Sequence, residues 1–255
     1  MRKQLIFITN TMVLFFICPS LSFTQDSEAA ESSNFSMGAD LTSRYIWRGL
    51  NLGGSSPHIQ PYVEYTFGNS GLAIGAWGSY SIGNTGGSEA DLYLSYAPLD
   101  FLSFTFTDYF FPADLPFERS DYFNYDPDET SHTLEAMLTV GGSDNIPFYA
   151  TFAINIFGAD GVNADGDKYN AKYIEVGYNG SFKEYDYSTF LGIAPDDPDT
   201  DNGGAGWYGD SAGIVNLGAG FSKTITIAEK ELPVFSTVIF NPEAGNFYIV
   251  FGFSF

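Results

Sequence analysis

Few residues in this chain could carry covalent chemistry. There are two histidines, His58 and His132, and one cysteine, Cys18. Ser55 and Ser56 stand close to His58, and Ser131 precedes His132. A lipid-active hydrolase would need such a Ser–His pair, steered by a third polar group. Serine beside a strand end is common, however, and a solvated rim histidine is the simpler expectation, so no catalytic residue is assigned and an enzyme is not expected. No nucleotide, haem or zinc motif is present, and no cofactor is expected. A different chemistry is offered by charges that recur at alternate positions: Asp40, Arg44, Arg48, Glu64, Glu89, Asp91, Glu135 and Glu175. If these positions line a lumen, they form either a charged constriction that sorts ions or a pinning network that closes it. Arg44 and Arg48 are the firm cations of the set, and Glu64 or Asp91 are their expected partners, because isolated charges in a narrow barrel are costly. Tyr62, Trp77 and Tyr93 share the same inward parity. They would either stack flat solutes or pack the lumen.

Three further segments are acidic. Residues 112–130 hold Asp114, Glu118, Asp121, Asp126, Asp128 and Glu129 against Arg119. Residues 195–211 hold Asp196, Asp197, Asp199, Asp201 and Asp210, and residues 158–168 hold Asp160, Asp165 and Asp167 against Lys168. Oxygen-rich loops can take Ca²⁺, but none has the alternating acids and closing Glu of an EF-hand. The expectation is a solvated acidic rim, with divalent cations as a further partner there.

The elements that must hold these residues are strands. Phe35, Met37, Ala39, Leu41, Tyr45 and Trp47 alternate with Ser36, Gly38, Asp40, Thr42 and Arg44. Period-2 alternation marks a strand with one apolar and one polar face. The pattern recurs at 58–67, 89–96, 102–110, 133–140, 148–156, 215–222 and 246–255, with weaker runs at 72–82, 170–178, 187–194 and 232–241. The count is twelve. Composition agrees: of 255 residues, 18% are aromatic and only 16% charged, with 28 Gly and a formal net charge of −21. Ten Lys and Arg over the whole length leave no clustered basic surface for nucleic acid.

The connections sort by parity. The odd ones (50–57, 83–88, 112–130, 158–168, 195–211 and 241–246) include all the long ones, whereas the even ones (68–71, 98–100, 141–147, 179–186 and 226–231) are short. Outer-membrane barrels have short periplasmic turns and long external loops; a soluble sandwich has no reason to sort its loops so. Phe35 to Trp47, read as one strand tilted near 40°, would rise about 30 Å, the thickness of an apolar bilayer core. The last strand carries Phe247, Phe251, Phe253 and Phe255 and ends the chain on an aromatic. A C-terminal strand of this kind, with Phe251, Phe253 and Phe255, resembles the signal read by the barrel assembly machinery.

The first hairpin carries a family resemblance. Leu41-Thr42-Ser43-Arg44-Tyr45-Ile46-Trp47-Arg48-Gly49-Leu50, followed by Pro57 and Gln60 and by Gly75-Ala76-Trp77-Gly78, resembles the opening of the TorF-type porin family of Gram-negative bacteria. The motif residues are Leu41, Ser43, Tyr45, Trp47, Arg48, Gly49, Pro57 and Gln60; Leu52 departs from it, standing where Gln is common. The resemblance implies an outer-membrane barrel that forms a pore. It names no substrate and no catalytic residue.

At the N-terminus, Arg2-Lys3, an apolar run from Leu5 to Cys18 and Ser20-Leu21-Ser22 have the layout of a cleaved export signal. The expected organisation is a signal peptide at 1–22, a short periplasmic segment at 23–33 and a barrel at 34–255. The fold class is thus all-β, a transmembrane antiparallel β-barrel of about twelve strands in the outer membrane. Its expected partners are outer-membrane lipid, the barrel assembly machinery, and small solutes or ions. The expected role is a passive, cation-preferring channel; a non-conducting structural or adhesion barrel is the alternative, and a lipid-active enzyme the more distant one.

Overall fold

The alternation closes on itself. The structure, a computed structural model, describes residues 34–83, 86–112 and 121–255, and within them twelve antiparallel strands form a closed barrel. They are β1 (Phe35–Thr42), β2 (His58–Thr66), β3 (Leu72–Ser81), β4 (Glu89–Leu99), β5 (Leu102–Phe110), β6 (His132–Ser143), β7 (Ile146–Gly158), β8 (Lys172–Phe182), β9 (Tyr185–Ala194), β10 (Gly213–Ile227), β11 (Lys230–Asn241) and β12 (Asn246–Ser254). Each pairs with its sequence neighbours, and β1 closes the sheet on β12 through Asp40↔Ser254, Leu41↔Phe253 and Thr42↔Gly252. The four weak runs of the sequence are present as β3, β8, β9 and β11. The signal at 1–22, the segment at 23–33, and Asp114, Glu118 and Arg119 lie outside the described residues.

The parity of the connections holds. Residues 67–71, 100–101, 144–145, 183–184 and 228–229 make the turns of one rim. The connections 43–57, 82–88, 111–131, 159–171, 195–212 and 242–245 begin and end at the other. The two faces of the wall divide as the period-2 rule requires. Leu92, Leu94, Phe104, Phe106, Val176, Ile249 and Phe251 stand exposed on the outside, while Thr105, Thr107, Glu135, Thr139, Thr151 and Glu175 are buried inside.

On the inside, rings lie over glycines of the adjacent strand. Tyr62 faces Gly38, Tyr93 faces Gly75 and Tyr149 faces Gly177 in direct register. A Cβ on Gly75 or on Gly177 would come within 2.2 Å of its tyrosine. Absence of that one carbon lets each ring lie flat on the neighbouring strand, the arrangement by which aromatics cover glycines in sheets.

One expectation fails. The first strand does not run through to Trp47; it stops at Thr42, and the next fifteen residues, 43–57, enter the barrel. Thr42 turns the chain by donating its hydroxyl to the Arg44 carbonyl at 2.9 Å. Tyr45 and Trp47, read as part of the outward face, are 3% and 8% exposed and pack inside. A twelve-strand wall encloses more space than its own side chains fill. The apolar residues after Thr42 pack there against one another and against the inner wall.

Candidate functional site

The segment that enters the lumen is a small hairpin, Ile46–Trp47 paired with Leu50–Asn51. Its two tip residues, Arg48 and Gly49, have φ of 48° and 80°. Positive φ at both central residues is what a type I′ turn demands, and Gly in the second place supplies it without strain. Gly49 has a second constraint: a Cβ there would meet the Val215 carbonyl oxygen at 1.8 Å. Val215 is at that spot because β10 carries one extra residue. Gly192 pairs with Asn216 but Ile193 with Ile214, so Val215 is bulged, turned inward and fully buried. A bulge re-aims a side chain in this way.

The tip places Arg48 in the middle of the lumen. Its Nη1 donates to Glu135 Oε2 at 2.5 Å and its Nη2 to Glu135 Oε1 at 2.9 Å, a two-pronged guanidinium–carboxylate pair. Nη1 also donates to the Tyr208 hydroxyl at 2.6 Å. The guanidinium carbon lies 4.5 Å from the Trp47 ring centre and 4.6 Å from that of Tyr173, within cation–π range. The carboxylate is steadied from the wall: Tyr109 donates its hydroxyl to Glu135 Oε1 at 3.1 Å. Burial is the largest influence and works against the Arg48 charge, but Glu135, Tyr208 and Tyr109 together push its pKa up. Burial likewise raises the Tyr208 phenol. Trp47 stacks on Tyr208 at 5.8 Å and meets Tyr109 edge-on at 5.5 Å. Two loops, 43–57 and 195–212, thus meet on the inner wall and pack together there.

Three of the other inward carboxyls, Glu64, Glu89 and Glu175, are held by tyrosine hydroxyls. Tyr45 donates to Glu89 at 2.7 Å and Tyr93 to Glu64 at 3.0 Å. Glu175 accepts from Tyr149 at 2.9 Å and from Tyr173, and Asn216 Nδ2 donates to both Tyr173 Oη and Glu175 Oε2 at 2.9 Å. Among the described residues no cluster of three or more His, Cys, Asp or Glu is arranged to hold a metal ion.

Both histidines differ from the expected wet rim. His58 is fully buried, with Nδ1 2.9 Å from Ser79 Oγ and Nε2 3.1 Å from the Gly53 carbonyl. Its hydrogen bonds tie the base of the inner loop to the wall. His132 is also fully buried, but on the outer side, where residues 121–131 fold back over the wall. Its Nδ1 is 2.7 Å from Asp108 Oδ1 and its Nε2 2.7 Å from the Tyr122 carbonyl. Tyr125 stacks on it at 4.3 Å and donates its hydroxyl to Asp108 Oδ2 at 2.9 Å. Burial and that hydrogen bond push the Tyr125 phenol up to about 12.

The family described as a bacterial protein of unknown function (Gcw_chp) matches residues 26–234. The chain belongs to that family. No curated protein matches it. The Gcw_chp match spans the inner hairpin and most of the wall.

Within this Gcw_chp chain the motif residues of the first hairpin have separate tasks. Leu41 pairs across the closing seam, and Ser43 Oγ accepts the Phe251 amide at 3.1 Å. Tyr45, Trp47, Arg48 and Gly49 form the inserted hairpin, and Leu52, the departure from the motif, packs against the same cluster. The Pro57 carbonyl accepts the Ile82 amide, and Gln60 Nε2 donates to Ser79 Oγ at 3.2 Å. Phe251 and Phe255 are exposed and Phe253 half-buried on or just after the last strand.

The other candidate residues fall as follows. Asp40 is buried on the inner face, directly opposite Ser254 across the seam. Tyr62 and Trp77 stand opposite each other, Trp77 also opposite Asp91, and the Trp77 ring packs on Tyr45 at 5.5 Å. Arg44 is half-buried and makes no ion pair with any described residue. The partner expected for Arg48 was Glu64 or Asp91; it is Glu135. A wall residue reaches its neighbouring strands, whereas the tip of an inserted hairpin reaches β6 on another part of the wall. Tyr109, Tyr173, Tyr208 and Asn216 went unnoticed in the sequence. The inward parity of Tyr109 with Thr107, and of Tyr173 with Glu175, was the available signal; nothing marked Tyr208, which sits in a loop.

Proposed function

We propose that this chain is an outer-membrane barrel of porin type, closed at rest by the hairpin at 43–57, that passes small cations when the hairpin yields. The observation that carries this reading is the pairing of an apolar exterior with a polar interior in one closed sheet. Exposed Leu, Ile and Phe around the whole wall need lipid as their solvent, and a lumen lined by Asp40, Glu64, Glu89, Asp91 and Glu175 favours positive solutes. Sorting of long and short connections to opposite rims supports the same orientation, with the short turns in the periplasm. The TorF-type resemblance lies on the hairpin inside the lumen, so it supports a pore in which that hairpin is the closure. Export through the signal at 1–22 and recognition of Phe251, Phe253 and Phe255 by the assembly machinery belong to this reading.

A second reading is favoured by the packing itself. Tyr45, Trp47 and Tyr208 are as buried as core residues, as a permanently plugged structural barrel would require. Planar-bilayer recording separates the two. A porin shows small conductance in the wild type, larger conductance in Arg48→Ala, and a reversal potential of cation-selective sign in a KCl gradient. Silence in both proteins would leave the structural barrel.

A further inference from the structure

We infer that the lumen contains a guanidinium-binding site, occupied at rest by the chain's own Arg48, that accepts a free guanidinium compound when Arg48 is absent or withdrawn. The wall supplies most of the site independently of the hairpin. Glu135, on β6, presents both carboxylate oxygens to the two prongs of the guanidinium. Tyr109, on β5, fixes that carboxylate from behind through Oε1. Tyr173, on β8, offers its ring face at 4.6 Å. Its hydroxyl is held by Glu175 and Asn216, so the ring keeps its place without Arg48. The Met137 sulfur, 3.7 Å from Nη2, closes one side. A planar, forked cation fits a carboxylate edge and an aromatic face together; an ammonium is a point charge and does not.

The site also has to be filled. Glu135 is 1% exposed, and a buried carboxylate stripped of its partner is strongly unfavourable. Arg48 therefore leaves only in exchange for another cation. This couples movement of the hairpin to uptake of the ligand, and it makes guanidinium-bearing solutes the class that competes best.

The test uses the full mature barrel refolded in detergent, with tryptophan fluorescence and calorimetry as readouts, so it stands whether or not the barrel conducts. Guanidinium chloride and methylguanidinium chloride are titrated at non-denaturing, millimolar concentrations into wild type, Arg48→Ala and Arg48→Ala/Glu135→Gln, against ammonium chloride at equal ionic strength. Arg48→Ala is expected to bind guanidinium saturably and about ten-fold more tightly than ammonium, with no saturable signal in the wild type or the double variant. Equal responses in the single and double variants, or no preference over ammonium, would overturn the site. If Arg48→Ala folds only when guanidinium is present during refolding, the site is supported. If it fails to fold under every condition, Gly49→Ala, which loosens the tip while keeping Arg48, takes its place. Guanidinium should then increase protease cleavage within 43–57 more than ammonium does, and an equal effect of the two salts would count against the site.

Discussion

Arg48 and Glu135 are separated by 87 residues in the chain and meet in the lumen through two parallel N–H···O bonds, of 2.5 and 2.9 Å. One comes from the tip of an inserted turn and the other from the wall, so the pair ties a loop to the sheet rather than strand to strand. Removing one member leaves the other buried without its ion-pair partner.

Arg48→Ala should therefore destabilise the folded barrel by about 3–5 kcal/mol. Arg48→Lys should recover only part of this, because an ammonium cannot reproduce the fork. Urea unfolding in lipid vesicles gives the stability, and protease cleavage between 43 and 57 shows whether the hairpin has left the lumen. Equal stability of the wild type and the Lys variant would show that the fork has no energetic weight.

Gly49→Ala should loosen the hairpin without touching a charge. The new methyl would sit 1.8 Å from the Val215 carbonyl oxygen at a φ of 80°, so the tip must move. The expected cost is about 1–3 kcal/mol. Gly68→Ala is the control, since it too has positive φ but its Cβ would meet nothing within 4 Å. A loss at Gly49 no larger than at Gly68 would mean that the fit against Val215 is irrelevant.

Gly177→Ala should act on a ring. The added carbon lies 2.2 Å from Tyr149, whose hydroxyl serves Glu175. Overpacking at such a contact costs about 1–3 kcal/mol. Tyr149→Phe keeps the ring and removes only the hydrogen bond, with an expected loss of about 1.5–3 kcal/mol. In Gly177→Ala/Tyr149→Ala the clash is gone, so a double-mutant cycle by urea unfolding should show strong coupling; simple additivity would contradict the stacking.

Tyr125 supplies a pH test. Its phenol is raised from the ordinary 10.0 to about 12 by burial and by its bond to Asp108. A raised phenol stabilises the folded clasp fully below pH 10, and that contribution disappears as pH climbs toward 12. Phenolate absorbance of wild type minus Tyr125→Phe should show one group titrating near 12. Hydrogen exchange over 121–131 should quicken across the same window, and a difference spectrum centred at 10 would reject the assignment.

The barrel was legible in the sequence because its wall obeys one rule. Phe104, Phe106 and Leu102 against Thr105 and Thr107 declare a two-faced strand without any knowledge of partners. Loop parity then supplied closure. The inserted hairpin was not legible, because Tyr45 and Trp47 continue the rhythm of β1 and carry the apolar character expected of an outward face. Period 2 says that residues share a side; it does not say where a strand ends. The Arg48–Gly49 pair was the missed turn signal, since glycine in the second place is the mark of a two-residue hairpin. The partnership with Glu135 depended on that turn. The bulge at Val215 depends on register between β9 and β10, which no local pattern encodes.

The short closing seam gives the hairpin one more role. Asp40, Leu41 and Thr42 pair with β12, flanked by backbone bonds of Ala39 with Phe255 and of Ser43 with Phe251, and the chain enters the lumen immediately afterwards. Arg48 then contacts residues carried by β6, β8 and the loop before β10, elements synthesised long after it. The state of this one side chain therefore registers whether β6, β8 and the loop before β10 stand in their places together, although they are far apart in the chain.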